Sequence, residues 1–292
     1  MAWSNNLFYV AFLSQIYLMS YYFPNKVLAR MRHVLATYPP TAYPKLYPKP
    51  IERHKMTHLA FKYVSRFILL LGFLILYATI FWVDHSTFAD DGYISGFWPA
   101  LYGMIQFLPL IVVELSEFSH LKQMRNAHTA SKRIAELQRR GLTDLVSPAL
   151  LGTAALAFAG AILFDLYVHD FDVGWGHDTV QRALVMAGTN GLLALVSAWH
   201  LYGRKQDPHQ SPEDRAHKVA VNLKVGLYVS IVLSVFIAVT AADDIYSLDF
   251  IDATLVSVYF QAVSLLSLGY VLRSIKPEDI EFDVYKSDTA VT

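Results

Sequence analysis

Cysteine is missing from all 292 residues of the chain. That absence excludes disulfides, thiolate metal sites and cysteine nucleophiles together. Other signatures are missing too. The chain has no P-loop, no Gly-x-Ser-x-Gly elbow and no dinucleotide fingerprint. Paired His-x-x-His-His boxes of the kind found in membrane desaturases and hydroxylases do not occur, and the last apolar run has no lysine for a retinal Schiff base. Lys plus Arg and Asp plus Glu balance at 24 each, so no net charge draws nucleic acid. The N-terminus shows no basic n-region and no small-residue cleavage site, so the first apolar run is expected to stay as a span.

Long apolar runs, in contrast, are abundant, and 54% of the residues are hydrophobic. About 20 residues at ~1.5 Å each cross a ~30 Å hydrocarbon layer. Seven stretches approach that length: Leu7–Phe23, Tyr63–Val83, Phe97–Glu117, Ser147–Tyr167, Ala183–Tyr202, Val225–Ala242 and Ala253–Leu272. The expected fold is therefore an all-α polytopic membrane bundle of seven transmembrane helices. It forms one unit over 1–276, with an acidic, partly disordered tail over 277–292.

Charge is distributed unevenly. Lys and Arg number nine in 24–66, six in 118–146, five in 203–224 and three in 273–292, while Arg182 alone falls on the other side. The positive-inside rule then puts the N-terminus outside and the C-terminus in the cytoplasm of a plasma (inner) membrane of bacterial type. Helical extensions are expected on the cytoplasmic side over 24–62, 118–146 and 203–224. The outer loops are short and acidic, with Asp84, Asp90, Asp91, Asp170, Asp172, Asp178, Asp243, Asp244, Asp249 and Asp252, and with His85, His169 and His177 among them. They read either as a cation-attracting face or as loops that simply lack basic residues. Asp165 and His169 are four apart and share a helix face.

Local punctuation supports these elements. Ser147-Pro148 and Ser211-Pro212 each place an N-cap before a proline at the first helical position. Pro109 should kink the third span, and Gly141 and Gly203 fit helix C-termini. In residues 37–50, TYPPTAYPKLYPKP, Tyr-Pro recurs at 38, 43 and 47. Proline fixes φ and removes N–H donors, so this is a stiff strap. The strap, Tyr38–Pro50, either docks a cytoplasmic protein partner through its tyrosines or packs over the protein's own helix ends.

Two sets of polar residues carry the functional readings. The helices that run inward each carry one amide near mid-membrane: Gln15, Gln106, Asn190 and Gln261. They suggest three divergent hairpins plus one helix, and either interhelical packing or a polar pathway or pocket. The second set is Glu114-x-x-Glu117-x-x-His120, with His54-x-x-x-His58 and His200 on the same side. Glu-x-x-His on one helix presents two ligands to one metal, and His at i, i+4 can do the same. Iron or zinc would fit this set, and His120 with His200 could clasp a haem. The alternative pairs Glu114 and Glu117 with nearby cations such as Lys62, Arg66 or Lys122 and leaves the histidines interfacial. No ionisable residue sits at the membrane midplane, which argues against a proton-coupled pump.

The leading functional expectation is non-enzymatic: a solute pathway, or a membrane anchor or assembly subunit in contact with the lipid bilayer, a cytoplasmic partner or a second copy of itself. The alternatives are a metal-dependent membrane oxidoreductase using the Glu/His set, and a cation sensor at the acidic outer face.

Overall fold

The computed structural model describes residues 2–81, 89–90, 93–127, 141–171, 178–203, 207–246 and 248–287. Asp84, His85, Asp91, Asp172 and His177, and the helical stretch expected over 128–140, lie outside the described residues. The helices are α1 (Ala2–Gln15), α2 (Phe23–Thr37), α3 (Ile51–Phe81), α4 (Phe97–Gln106), α5 (Leu108–Ala127), α6 (Leu142–Leu145), α7 (Pro148–Val168), α8 (Asp178–Ala198), α9 (Pro212–Tyr246), α10 (Asp252–Leu266) and α11 (Leu268–Ser274). One two-residue hairpin, β1 (Ala89–Asp90) with β2 (Tyr93–Ile94), joins α3 to α4.

Among the described residues, six helical stretches are long and apolar enough to cross a membrane: Ile51–Phe81, Phe97–Asn126, Pro148–Val168, Thr179–Gly203, Pro212–Asp243 and Asp252–Ser274. A helical bundle with six such stretches is the pattern of an integral membrane protein. The first apolar run differs. A π-helical turn, Ile16–Tyr22, separates α1 from α2, yet Gln15, Tyr22 and Phe23 all keep right-handed helical dihedrals. The backbone therefore stays helical from Ala2 to Thr37. The wider turn sits where Ile16, Met19 and Ser20 are buried while Tyr17, Tyr21 and Tyr22 are exposed.

This first helix supplies much of one core of the bundle. Phe8, Phe12 and Ile16 are almost fully buried against Ile68 and Ile75 of α3, Tyr102 of α4 and Ala253 of α10. Two glycines allow the approach. A Cβ on Gly72 would overlap the Tyr102 phenol, and one on Gly103 would enter the Phe260 ring. A second group forms around α9, which packs against α7, α8 and α10. Its core holds Ala161, Met186, Leu233 and Ile237. Helices α7 and α8 touch each other much less than each touches α9. The expected α7/α8 hairpin is thus held together through a third helix.

Sequence punctuation is realised at several points. Ser147 caps α7 by accepting from the Leu150 N–H at 3.3 Å, with Pro148 behind it. Ser211 caps α9 by accepting from the Asp214 N–H at 3.2 Å, and α9 then runs unbroken to Tyr246. Pro109 removes a donor, and the helix breaks at Phe107, between α4 and α5. Gly141 plays a different part from the one expected. Its backbone is extended, with φ −73° and ψ 146°, and its N–H donates to Asp144 at the start of α6.

The described part of the tail is folded onto the bundle. Residues 277–287 turn back through two short 3-10 turns, and Phe282 and Tyr285 are buried against Leu121 and Met124 of α5. Val34, Tyr38, Tyr43 and Leu46 pack onto the same cluster, and the Tyr38 and Phe282 rings stack at 3.8 Å. Two aromatic residues in an acidic segment are enough to hold it down. The strap and the tail thus form a layer over the basic end of the bundle.

Candidate functional site

Beneath that layer lie two adjoining cavities, which share Leu46, Glu117 and His120 as their common wall. The first, of about 210 Å³, lies under the tail and is lined by His200, Asp207, Arg215, Lys218 and Tyr285. The second, of about 430 Å³, lies under the strap between α2, α3 and α5. Arg30, Tyr47, His54, His58, Ser116 and Val113 line it.

The Glu/His set read from the sequence is partly gathered here. Glu117 and His120 form the shared wall, His54 and His58 line the second cavity and His200 the first. Glu114 is exposed on α5 and lines neither. Glu117 pairs with Lys218 of α9 at 2.7 Å, a residue a hundred positions away that helical spacing could not select. Arg66 turns instead to Asn25 and the Tyr21 ring. Among the described residues, no three His, Asp or Glu side chains come together as a group that could hold a metal ion. His200 gives Nδ1 to the Val196 carbonyl at 2.8 Å, one turn back on its own helix.

The second cavity has an aromatic ladder on its wall. The Tyr47 and His54 rings meet edge to face at 5.3 Å, and His54 meets His120 the same way at 5.1 Å. The Tyr47 hydroxyl, His54 Nε2 and His120 Nδ1 are all buried without a hydrogen-bond partner among the described residues. Each unmade bond costs about 1–3 kcal/mol. Burial pushes the Tyr47 phenol above its ordinary pKa. Burial, helped by the neighbouring Arg53 charge, pulls Lys49 below its own. Lys49 gives a hydrogen bond to Ser119 at 2.8 Å, tying the strap to α5.

The tail that closes the first cavity is fixed by hydrogen bonds. The Tyr285 hydroxyl donates to Asp207 at 2.7 Å, and the Glu281 N–H donates to Asp214 at 3.3 Å. Burial, with the adjacent Asp207 carboxylate, pushes the Tyr285 phenol far above its ordinary pKa.

The four amides fall in two places. Gln15 donates to Gln106 Oε1 at 2.9 Å, and Gln106 donates to Ser20 at 2.8 Å. Ser20 lies 2.9 Å from the Tyr102 hydroxyl, which donates to the Ile68 carbonyl at 3.0 Å. Gln261 joins from α10, accepting from Ser14 at 2.9 Å and donating to the Ala11 carbonyl at 3.1 Å. Three amides therefore tie the first helix to its neighbours. Asn190 stands apart. It donates to the Met186 carbonyl at 2.9 Å, accepts from Ser230 of α9, and borders a largely apolar cavity of about 440 Å³ between α7, α8 and α9.

At the acidic end, Asp165 and His169 do share a face of α7, and Arg182 of α8 closes on both. Arg182 Nε donates to Asp165 Oδ1 at 3.0 Å, and its Nη2 lies 3.0 Å from His169 Nε2. His169 Nδ1 sits 2.8 Å from the Asp165 carbonyl. A guanidinium and a carbonyl fix opposite roles for the two ring nitrogens, so Nδ1 donates and Nε2 accepts.

Residues not singled out from the sequence include Arg30, Asp207, Arg215 and Tyr285, while Tyr47 was read only as the third tyrosine of the Tyr-Pro repeat. Searches against protein-family models, curated proteins and solved structures find no match to this chain.

Proposed function

We propose that this chain is an integral membrane protein that binds a small molecule at its basic, cytoplasmic edge, in the histidine-lined cavity under the Tyr-Pro strap. One observation carries the reading. Three polar atoms, on Tyr47, His54 and His120, are buried unpartnered on residues that line one cavity of about 430 Å³. That volume lies in the range of small-molecule sites. Unpaired donors and acceptors beside a cavity are what a polar ligand would satisfy.

A solute pathway between the amides has less support. Gln15, Gln106 and Gln261 bond to one another's helices, and Asn190 lies in a different group. Docking of a protein partner through Tyr38 or Tyr43 would require the tail to leave, since Phe282 packs there. The test is native mass spectrometry of the protein in mild detergent, purified without a metal-affinity tag, with elemental analysis alongside. The expected result is a stoichiometric organic ligand held by the wild type and lost in His54→Phe. No retained ligand in any lipid background would overturn the reading. Stoichiometric iron or zinc lost in His120→Ala would replace it with a metal centre.

A further inference from the structure

The walls of the histidine cavity restrict the chemistry of its occupant. Arg30 lines the cavity and gives one N–H to the Leu272 carbonyl at 3.2 Å. Glu278 acts on it through space, but among the described residues no carboxylate lies within ion-pair distance of its guanidinium. The cavity's own carboxylate, Glu117, is held by Lys218. The wall therefore carries a positive charge with no carboxylate of its own to answer it. Lys49, next to Tyr47 on the strap, adds to the field around the His54 and His120 rings.

The free hydrogen-bonding groups are of both kinds. The Tyr47 hydroxyl can donate, and His120 Nδ1 and His54 Nε2 each donate or accept according to the tautomer. Met31, Val34 and Leu35 of α2 and Val113 of α5 add an apolar part to the lining. Val113 belongs to the stretch 97–117 whose composition suits a membrane span, so this wall reaches toward lipid depth.

A phosphate monoester meets these demands together. Its charged oxygens suit a guanidinium and a phenol O–H, and its remaining P–OH can donate to an imidazole lone pair. A carboxylate offers two oxygens and no donor. A neutral polyol leaves Arg30 unanswered. An apolar stem would lie on the Met31–Val113 wall, and basic pockets between helices on the cytoplasmic side are where anionic headgroups bind. Resting on the ligand-binding reading above, we propose that this cavity holds a phosphate monoester, presented in the membrane as the headgroup of an anionic lipid.

The test uses the full-length protein in neutral detergent, with thermal unfolding followed against titrated probes. These are dihexanoyl phosphatidic acid, dihexanoyl phosphatidylcholine, glycerol 3-phosphate and inorganic phosphate. Phosphatidic acid should raise the midpoint saturably and phosphatidylcholine should not. Arg30→Gln should weaken the apparent affinity about tenfold or more, since it removes the charged partner of the phosphate. Tyr47→Phe removes a single oxygen, so it keeps the test decisive if Arg30→Gln fails to fold. Soluble phosphates that match the lipid would support the phosphate chemistry and assign it to a cytosolic source. Equal response to phosphatidylcholine, or unchanged affinity in both variants, overturns the proposal. If mass spectrometry finds an uncharged ligand lost in His54→Phe while no phosphate binds, the cavity reading stands and this one falls. If nothing binds at all, both fall.

Discussion

Two histidine clusters sit at opposite ends of this bundle, and they differ in one respect. At the acidic end, His169 is closed: Asp165 and Arg182 occupy both of its ring nitrogens. At the basic end, His54 and His120 touch each other only by their ring edges, and each leaves one buried nitrogen unpartnered. Both clusters combine histidine with basic and acidic neighbours, so composition alone does not separate them. Unmade hydrogen bonds beside a cavity do. A satisfied polar network holds helices together, whereas an unsatisfied one beside a cavity is arranged for something else.

The sharpest way to break this contrast is at the closed cluster. Asp165 is almost fully buried, and Arg182 is the cation beside it. Removing one partner of a buried pair leaves an uncompensated charge, so Arg182→Leu should lower stability by about 3 kcal/mol or more. The α7 end should loosen with it, because Asp170 and Phe171 follow with left-handed φ of 51° and 58°. Non-glycine residues adopt that conformation at a cost of roughly 1–2 kcal/mol each. Thermal unfolding in detergent measures the loss. An unchanged midpoint would mean the triad does not hold α8 to α7.

The next effect belongs to the tail. Tyr285 keeps its proton when docked, because burial and Asp207 oppose ionisation, whereas a released phenol titrates near its ordinary value of 10.0. A group with a raised folded pKa stabilises fully below its unfolded pKa and loses that contribution as pH rises past it. Tail docking should therefore be flat up to about pH 9 and weaken above pH 10. Limited proteolysis of the tail, with Tyr285→Phe as control, reads this out. The variant should lose about 1.5 kcal/mol of docking at neutral pH and show no further alkaline step from this group. A wild type whose tail is equally protected at pH 11 would separate tail docking from Tyr285 ionisation.

A smaller loss is expected from Gln106→Leu, which interrupts the chain from Gln15 to Ser20. Interhelical hydrogen bonds in membranes are worth about 1 kcal/mol each, so the cost should be of that order, with ligand retention unchanged. Loss of a transport activity at wild-type stability would instead revive the pathway reading of the amides.

These predictions also mark what was legible in the chain itself. Apolar run length located the six membrane-competent helices, because hydrocarbon thickness sets a length that composition shows directly. Ser147, Ser211 and Pro109 were readable because caps and proline breaks act within one turn. Lys218 as the partner of Glu117 was not readable, since the pairing depends on how α5 and α9 pack. The division of the amides had the same cause: spacing placed Asn190 at the depth of the others, but packing put it in another group. The docking of Phe282 and Tyr285 was not readable either, since it depends on how the tail returns to α5. Arg30 was one of nine basic residues in 24–66, and nothing in its local sequence set it apart.

The smallest expected change in stability is the most informative, because its sign is opposite. Phenylalanine replaces the His54 imidazole with a ring that can keep its edge-to-face contacts with Tyr47 and His120. It also removes Nε2, a buried atom that makes no hydrogen bond. Taking out an unsatisfied polar atom without leaving a hole relieves a desolvation cost, so His54→Phe should leave stability unchanged or raise it by up to about 1 kcal/mol. Binding should be lost at the same time, which is the usual exchange of stability for function at a site. A fall comparable to that of Arg182→Leu would show that His54 is held by contacts as closed as those of His169. The two ends of the bundle would then be alike, and the cavity would lose its claim to a ligand.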